Sequence, residues 1–340
     1  MTKRSLILFL FAGFLIALTA VGCGSSGAST SNQRYIWPEP PDSPRVEYLK
    51  TFRGESDFAG GFGNMMNSIT GSVGGTNFTR PYDISIGDNG VYYVTDAVMG
   101  AMKYDTKNKS IEILGEHSSV DLKDARGIAY AHGKIYIGLS SSKKVVVLDE
   151  KTGTVVRVIG NDGRFPNPVD IVCDTVRNRI YIVDIKLDQI FVCTENGDSL
   201  FTIGKPGSGD SDFNFPQSAA LDSAGNLYVV DGFNFSVKVF DTEGKFLRKF
   251  GRQGDIYGAF ARPKGIALDS FGNIYVLDAV HQHFQIFTNS GELLMFVGKF
   301  SSMNDGFQNP ISIVIDNTNK IFVTDNLNGR IQVFQLLQGN

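Results

Sequence analysis

The feature that most constrains this chain is a phrase written six times. Its clearest copies read Pro216-Gln-Ser-Ala-Ala-Leu-Asp222-Ser-Ala-Gly225-Asn-Leu-Tyr-Val-Val-Asp231 and Pro263-Lys-Gly-Ile-Ala-Leu-Asp269-Ser-Phe-Gly272-Asn-Ile-Tyr-Val-Leu-Asp278. The leading residue recurs at Pro81, Ala125, Pro168, Pro216, Pro263 and Pro310, in steps of 44, 43, 48, 47 and 47 residues. A unit this short cannot bury its apolar face alone, so the copies must pack on one another.

Each copy spells strands and turns in a fixed order. In the fifth, a short apolar stretch at 265–268 meets an Asp, Gly and Asn turn suited to a tight reversal, and an alternating stretch at 273–277 ends on Asp278. A third strand follows at 284–287, then the Asn289-Ser290-Gly291 turn and a fourth strand at 292–297. Four strands in 43 to 48 residues predict an all-β fold, a six-bladed β-propeller of four-stranded antiparallel blades, with repeats starting near 78, 122, 165, 213, 260 and 307. A content of 42% hydrophobic residues with 38 glycines suits such a turn-rich β protein.

The chain ends provide a check on the count. The sixth copy stops after its third strand near Phe334, leaving one strand missing. Val46-Glu47-Tyr48-Leu49-Lys50-Thr51-Phe52-Arg53-Gly54 matches the fourth strands of other copies, such as Phe246-Leu247-Arg248-Lys249-Phe250-Gly251. Segment 46–53 is therefore expected to complete the last blade and close the ring.

The repeat resembles the NHL type, whose typical ending is present as Asn328-Gly329-Arg330-Ile331-Gln332-Val333-Phe334. The WD40 type is set aside, because the single tryptophan, Trp37, lies outside the repeats. The NHL resemblance covers about three quarters of the chain; it implies a fold and not a particular activity.

Residues 1–22 read as a lipoprotein signal peptide. Lys3 and Arg4 precede the apolar stretch 6–21, which is too short for a comfortable membrane span. Ala20-Val21-Gly22-Cys23 resembles a bacterial lipobox, with Ala20 where leucine is more usual, and this implies lipidation of Cys23. Gly24 after the cysteine implies sorting to the outer membrane of a Gram-negative envelope, where several acyl chains together anchor stably. Residues 23–36 are Gly/Ser-rich at first and read as a flexible tether, and 37–340 as the propeller. Trp37 and the prolines after it form an extended strap, resembling the leader of bacterial lipoproteins with six-bladed propellers, and Trp37 is expected to pack on the propeller wall. Phe62, Met65, Met66 and Ile69 fall at one-face helical spacing and are expected to pack on a propeller face, with a partner-docking helix as the alternative.

Candidate chemistry is sparse. Asp96, Asp184, Asp231, Asp278 and Asp325 end the second strand of five copies, with Leu139 in the other. A rim of carboxylates can hold a cation, but an Asp repeated at strand ends is ordinarily a turn cap. Asp174, Asp222, Asp269 and Asp316 open the first turn of four copies and read the same way. Of the histidines His117, His132, His281 and His283, the last two share one loop and are the weak candidates for a metal; no third ligand is indicated. Cys173 and Cys193 fall on the first and third strands of one copy, about 9.6 Å apart at ~4.8 Å per strand. That exceeds disulfide reach, so buried free thiols are expected.

No Gly-x-Ser-x-Gly elbow, phosphate-cradling Gly-Lys-Ser/Thr loop or Cys-x-x-Cys-His haem signature is present. The formal charge is −3, and −5 without Lys3 and Arg4 (30 basic against 35 acidic residues), so nucleic acid is not an expected partner. The loops after the second strands instead offer a mixed, partly aromatic rim: Met99, Lys186, Phe233, Phe235, His281 and Asn326. The expectation is a non-enzymatic, lipid-anchored scaffold binding envelope proteins, without a cofactor. The rival is a metal-dependent hydrolase or lyase, holding calcium or zinc at the channel mouth.

Overall fold

The structure, a computed structural model, describes residues 34–58, 75–116 and 120–337. The signal peptide, Cys23, the apolar stripe from Phe62 to Ile69, and His117 lie outside the described residues.

Among the described residues the strands form six sheets. Blade 1 consists of strands Pro81–Ile86, Val91–Asp96, Gly100–Asp105 and Ser110–Ile113. Blade 2 follows with Ala125–Ala131, Lys134–Leu139, Lys144–Asp149 and Val155–Ile159. In blade 3 the strands are Pro168–Asp174, Arg179–Asp184, Gln189–Thr194 and Ser199–Ile203. Blade 4 is Pro216–Leu221, Leu227–Asp231, Ser236–Phe240 and Phe246–Phe250, and blade 5 is Pro263–Leu268, Ile274–Asp278, His283–Phe287 and Leu293–Val297. Each is an antiparallel meander. The first strands of successive blades touch all the way round, closing a ring about a central channel.

The last blade joins both regions of the chain expected to meet. Pro310–Ile315, Lys320–Asp325 and Arg330–Leu336 are followed in the sheet by Val46–Phe52, paired antiparallel from Val46 opposite Leu336 to Phe52 opposite Ile331. A fifth, two-residue strand, Ile36–Trp37, pairs with Glu47 and Val46. Ile36, inside the expected tether, therefore already belongs to the sheet. Trp37 packs edge-on against Phe334, 5.7 Å between ring centroids.

The core is not one mass but six layers, one between each pair of neighbouring blades. A strand sends alternate side chains to opposite faces, and here both faces of a blade are covered by its neighbours. Second and third strands are accordingly buried along their length, as in Leu227–Asp231 and Ser236–Phe240, whereas fourth strands such as Phe246–Phe250 are partly exposed.

The aspartate ending the second strand fixes the blade geometry. Asp96 Oδ2 accepts backbone N–H bonds from Thr79 and Arg80, just before Pro81, while Oδ1 accepts those of Val98 and Met99. One carboxylate thus ties the incoming chain to the outgoing turn. Asp184 and Asp278 repeat the arrangement. In blade 2, where Leu139 takes the position, the carboxylate comes from the other side: Asp124 Oδ2 accepts the N–H of Ser142. The second series also caps turns; Asp222 Oδ1 accepts from Ala224 and Asn226, and Asp269 Oδ1 from Phe271 and Asn273.

Candidate functional site

Two ends of the ring differ in character. The loop face is where first strands begin and second strands end; the turn face is the opposite one. Among the described residues, the large apolar side chains exposed on the loop face are Val98, Phe233, Ile256, Tyr257, Val280, Phe300, Met303 and Leu327. On the turn face they are Val176 and Phe271.

All but Val98 of the loop-face set lie on blades 4 to 6 or the loops leading into them. Three consecutive interblade loops, 204–215, 251–262 and 298–309, share one build, each closed by a parallel bridge: Pro206 with Phe213, Gln253 with Phe260, Phe300 with Phe307. A polar side chain from the third strand of the blade holds each from beneath. Lys238 Nζ donates to the carbonyls of Gly209 and Asp212 and pairs with Asp231 at 2.9 Å. Gln285 Nε2 donates to Ala259 O, and Gln332 Nε2 to Gly306 O. Arg330 adds bonds to the carbonyls of Ser302, Met303 and Gly306 while its Nε donates to Asp325. Burial pushes the carboxyls of Asp231 and Asp325 above the usual range, against the pull of their cations. These loops are preorganised protrusions, and a rigid surface loses less entropy on binding.

The channel is lined by first strands of all six blades. Two residues after each leading residue stand Asp83, Gly127, Asp170, Ser218, Gly265 and Ser312, a ring at one level. Asp83 Oδ1 accepts from Ser312 Oγ at 2.6 Å and from the N–H of Ile84, and Oδ2 from the N–H of Ile128. Asp170 accepts from the N–H groups of Ile171 and Ala219. Each carboxylate therefore laces its own blade to the next. A Cβ on Gly127 would sit 2.5 Å from Asp170 Cα, so glycine is what lets these strands approach. Burial, then the neighbouring charge of Asp170, pushes Asp83 up to about 8; burial raises Asp170 as well.

On the turn-face side of this ring lies a cavity of about 300 Å³. Toward the loop face the ring meets Tyr82, Gln217, Lys264 and Ile311. Lys264 Nζ donates to Gln217 Oε1 at 2.6 Å, and burial together with Arg262 holds its ammonium down at about 8. The channel thus sets two carboxyls beside a lysine of lowered basicity, groups able to bind or transfer protons to a small polar molecule.

Comparison with known proteins agrees with this architecture. Residues 307–334 match the NHL repeat, and residues 221–294 match a domain family described as a 6-bladed beta-propeller. The chain is a six-bladed β-propeller carrying an NHL repeat. This propeller is 35% identical over 107 residues to the human NHL repeat-containing protein 3, covering 26% of this chain and 29% of the human one. It thus spans under a third of the length of that relative. Among solved structures, streptogramin B lyase superposes with a TM-score of 0.58 at 16% identity, over 76% of this chain and 94% of the lyase. An auxiliary nutrient binding protein from Bacteroides thetaiotaomicron gives 0.58 and 16%, over 76% and 69%. At such identity the likeness is one of fold.

The propeller places the sequence-nominated rim residues unequally. Lys186 and Phe233 are exposed, Phe233 stacking on Phe215 at 4.7 Å. Met99, Phe235 and His281 are half-buried, Met99 and Phe235 packing into interblade layers. Asn326 is buried and donates to Pro81 O, binding blade 6 to blade 1. His283 is not in the loop with His281 but opens the third strand of blade 5, where burial holds its imidazole down at about 4. Among the described residues no three His, Cys, Asp or Glu side chains are assembled as a metal site.

Cys173 and Cys193 are free and flank Ile180 from either side. Only Cys193 is fully buried; Cys173 lines the channel cavity. Sequence reasoning missed Asp83 and Asp170. Their signal was acid in a column that elsewhere holds glycine or serine. It also missed Ile256, Tyr257, Phe300 and Met303, although the steps of 48, 47 and 47 residues against 43 and 44 already contained the longer loops.

Proposed function

We propose that this propeller is a docking module of the cell envelope, held to the outer membrane through a lipid on Cys23, and that it binds an envelope protein through the loop face of blades 4 to 6. The observation that supports this most is the inequality of the faces: eight exposed large apolar side chains against two. Such groups in water mark association surfaces when they gather on one side, and four of them, Ile256, Tyr257, Phe300 and Met303, stand on loops braced by Gln285, Gln332 and Arg330. Aromatic and methionine side chains suit the centre of such an interface.

Site-specific photo-crosslinking in the native envelope tests the reading. A photoreactive residue replacing Phe300 or Met303 is expected to capture one discrete partner, and the same residue replacing Val176 or Phe271 is not. Equal capture from both faces, or none from the loop face, overturns it. For the anchor, Cys23→Ala is expected to move the protein from the detergent to the aqueous phase; retention in detergent refutes it.

A second reading rests on the channel. Asp83, Asp170 and Lys264 favour a small-molecule hydrolase or lyase site, and the lyase named above shares the fold. Turnover of model esters or lactones by the purified chain, lost in Lys264→Ala while loop-face crosslinking persists, favours this second reading over docking.

A further inference from the structure

Blade 5 carries on its loop face a group of side chains that neither the docking surface nor the channel requires. His281 lies in the turn after Asp278, and His283 begins the third strand. Their ring centroids are 5.2 Å apart and their planes 27° from parallel. Two imidazoles sharing one tetrahedral ion through bonds of roughly 2.0–2.1 Å have centroids about 5 Å apart. His283 is 6% exposed, and its Nε2 has no hydrogen-bond partner; neither ring nitrogen of His281 has one. A buried polar atom left so costs about 1–3 kcal/mol. Packing alone is therefore a poor reason for two such rings. The other walls are the rings of Tyr257 and Phe296, 6.2 and 5.6 Å from His283.

Two carboxylates complete the group. Asp278 Oδ2 stands 3.3 Å from His281 Nδ1. Asp278 is fixed by the backbone N–H groups of Ala261, Arg262, Val280 and His281, so it can orient the imidazole but cannot leave its place. Asp255, on the interblade loop 251–262, puts Oδ1 3.8 Å from His281 Nε2 with a side chain 97% exposed. Ligand atoms on one tetrahedral zinc lie about 3.3 Å apart, so a rotation of the free Asp255 side chain closes the gap.

We infer that His281 Nε2, His283 Nε2 and the Asp255 carboxylate form a site for a divalent transition-metal ion of the zinc class, with Asp278 orienting His281 and a fourth position left to water. Two imidazoles and one carboxylate select such ions over calcium or magnesium, which take oxygen ligands. The carboxylate on a ligating histidine's other nitrogen is the usual outer support of such sites. The set becomes complete only when Asp255 turns inward and the two imidazoles, now 27° from parallel, pivot their Nε2 atoms toward it, and the ion then fastens loop 251–262 to the turn before the third strand of blade 5. The inference does not depend on what the loop face binds.

The test is calorimetric titration of zinc chloride into the chelator-treated full chain, with tetrahedral cobalt(II) absorption as a second readout. One ion per chain is expected, weakened at least about tenfold in His281→Gln and in Asp255→Asn. Asp255 is a solvent-facing side chain, so that variant retains the fold even if His283→Gln does not. His132→Gln, on the turn face beside Glu195, should leave the affinity unchanged. Absence of stoichiometric binding, binding equal in wild type and both variants, or binding lost only in His132→Gln overturns the inference.

Discussion

The two faces of the ring are closed by the same residue type and yet are built to different standards. On the turn face, an Asp such as Asp222 or Asp316 caps its own turn with backbone bonds that reach no further than four residues. On the loop face, Asp231 and Asp325 reach back 17 residues to the incoming loop, and buried cations then carry the bonding into that loop. A local turn can be altered without consequence elsewhere. A loop wired to a buried ion pair cannot, and one of the two such loops, 298–309, carries the exposed Phe300 and Met303.

The widest gap between the faces is expected from Lys238→Met. Methionine fills the space but leaves Asp231 buried without its cation, and removing one partner of a buried pair costs ~3–5 kcal/mol. Urea unfolding should show that loss, and loop 204–215 should exchange amide hydrogens faster. A loss under ~1 kcal/mol would mean that Asp231 is neutral in the fold and that the bracing comes from the loop itself.

Why the ring is legible in the sequence and the bracing is not follows from where each is written. The fold rests on alternation, turn residues and spacing, which are local and repeated six times; the closing strand is legible because 46–54 copies the fourth strand of other blades. Lys238 sits in Ser236–Phe240 with apolar neighbours on both sides, a visible anomaly whose partner, Asp231, belongs to the preceding strand. Its remaining bonds go to carbonyls of 209 and 212, and a carbonyl has no sequence signature. Strand propensity starts at Phe284 and so leaves His283 to the loop, while pairing with Asp278 extends the strand one residue further. The pairing of Asp83 with Ser312 spans 229 residues, and only the closed ring creates it.

Between the faces, the channel ring makes stability depend on pH in a direction opposite to that of most carboxylates. Asp83 titrates near 8 in the folded chain against 3.8 for an unperturbed aspartate, the value expected once the chain unfolds, so the folded form holds the proton more tightly. Its contribution is complete below about pH 4 and is lost as pH rises toward about 8, with a slope of up to ~1.4 kcal/mol per pH unit per proton. Melting temperature should therefore fall between about pH 5 and about pH 8.5 by more in wild type than in Asp83→Asn, where this proton is absent. Parallel curves for the two proteins would show that Asp83 binds no more protons in the folded chain than in the unfolded one over this range.

The smallest effect is expected on the turn face, and it sharpens the contrast because the chemistry removed is again a carboxylate. Asp222→Ala deletes acceptors for the N–H groups of Ala224 and Asn226 and for the amide of Asn226. Those groups lie at a half-exposed turn where water can replace the lost oxygen, so the cost should be that of a cap, about 1 kcal/mol. Tyr228 loses a long hydroxyl contact of 3.4 Å but keeps Asn289, and the backbone bond from Gly225 to the carbonyl of Asp222 survives the substitution. Unfolding in urea should place this variant close to wild type and well above Lys238→Met. If the two variants lose equal stability, the faces do not differ in how their turns are held, and the preorganisation assigned to the loop face has no energetic basis.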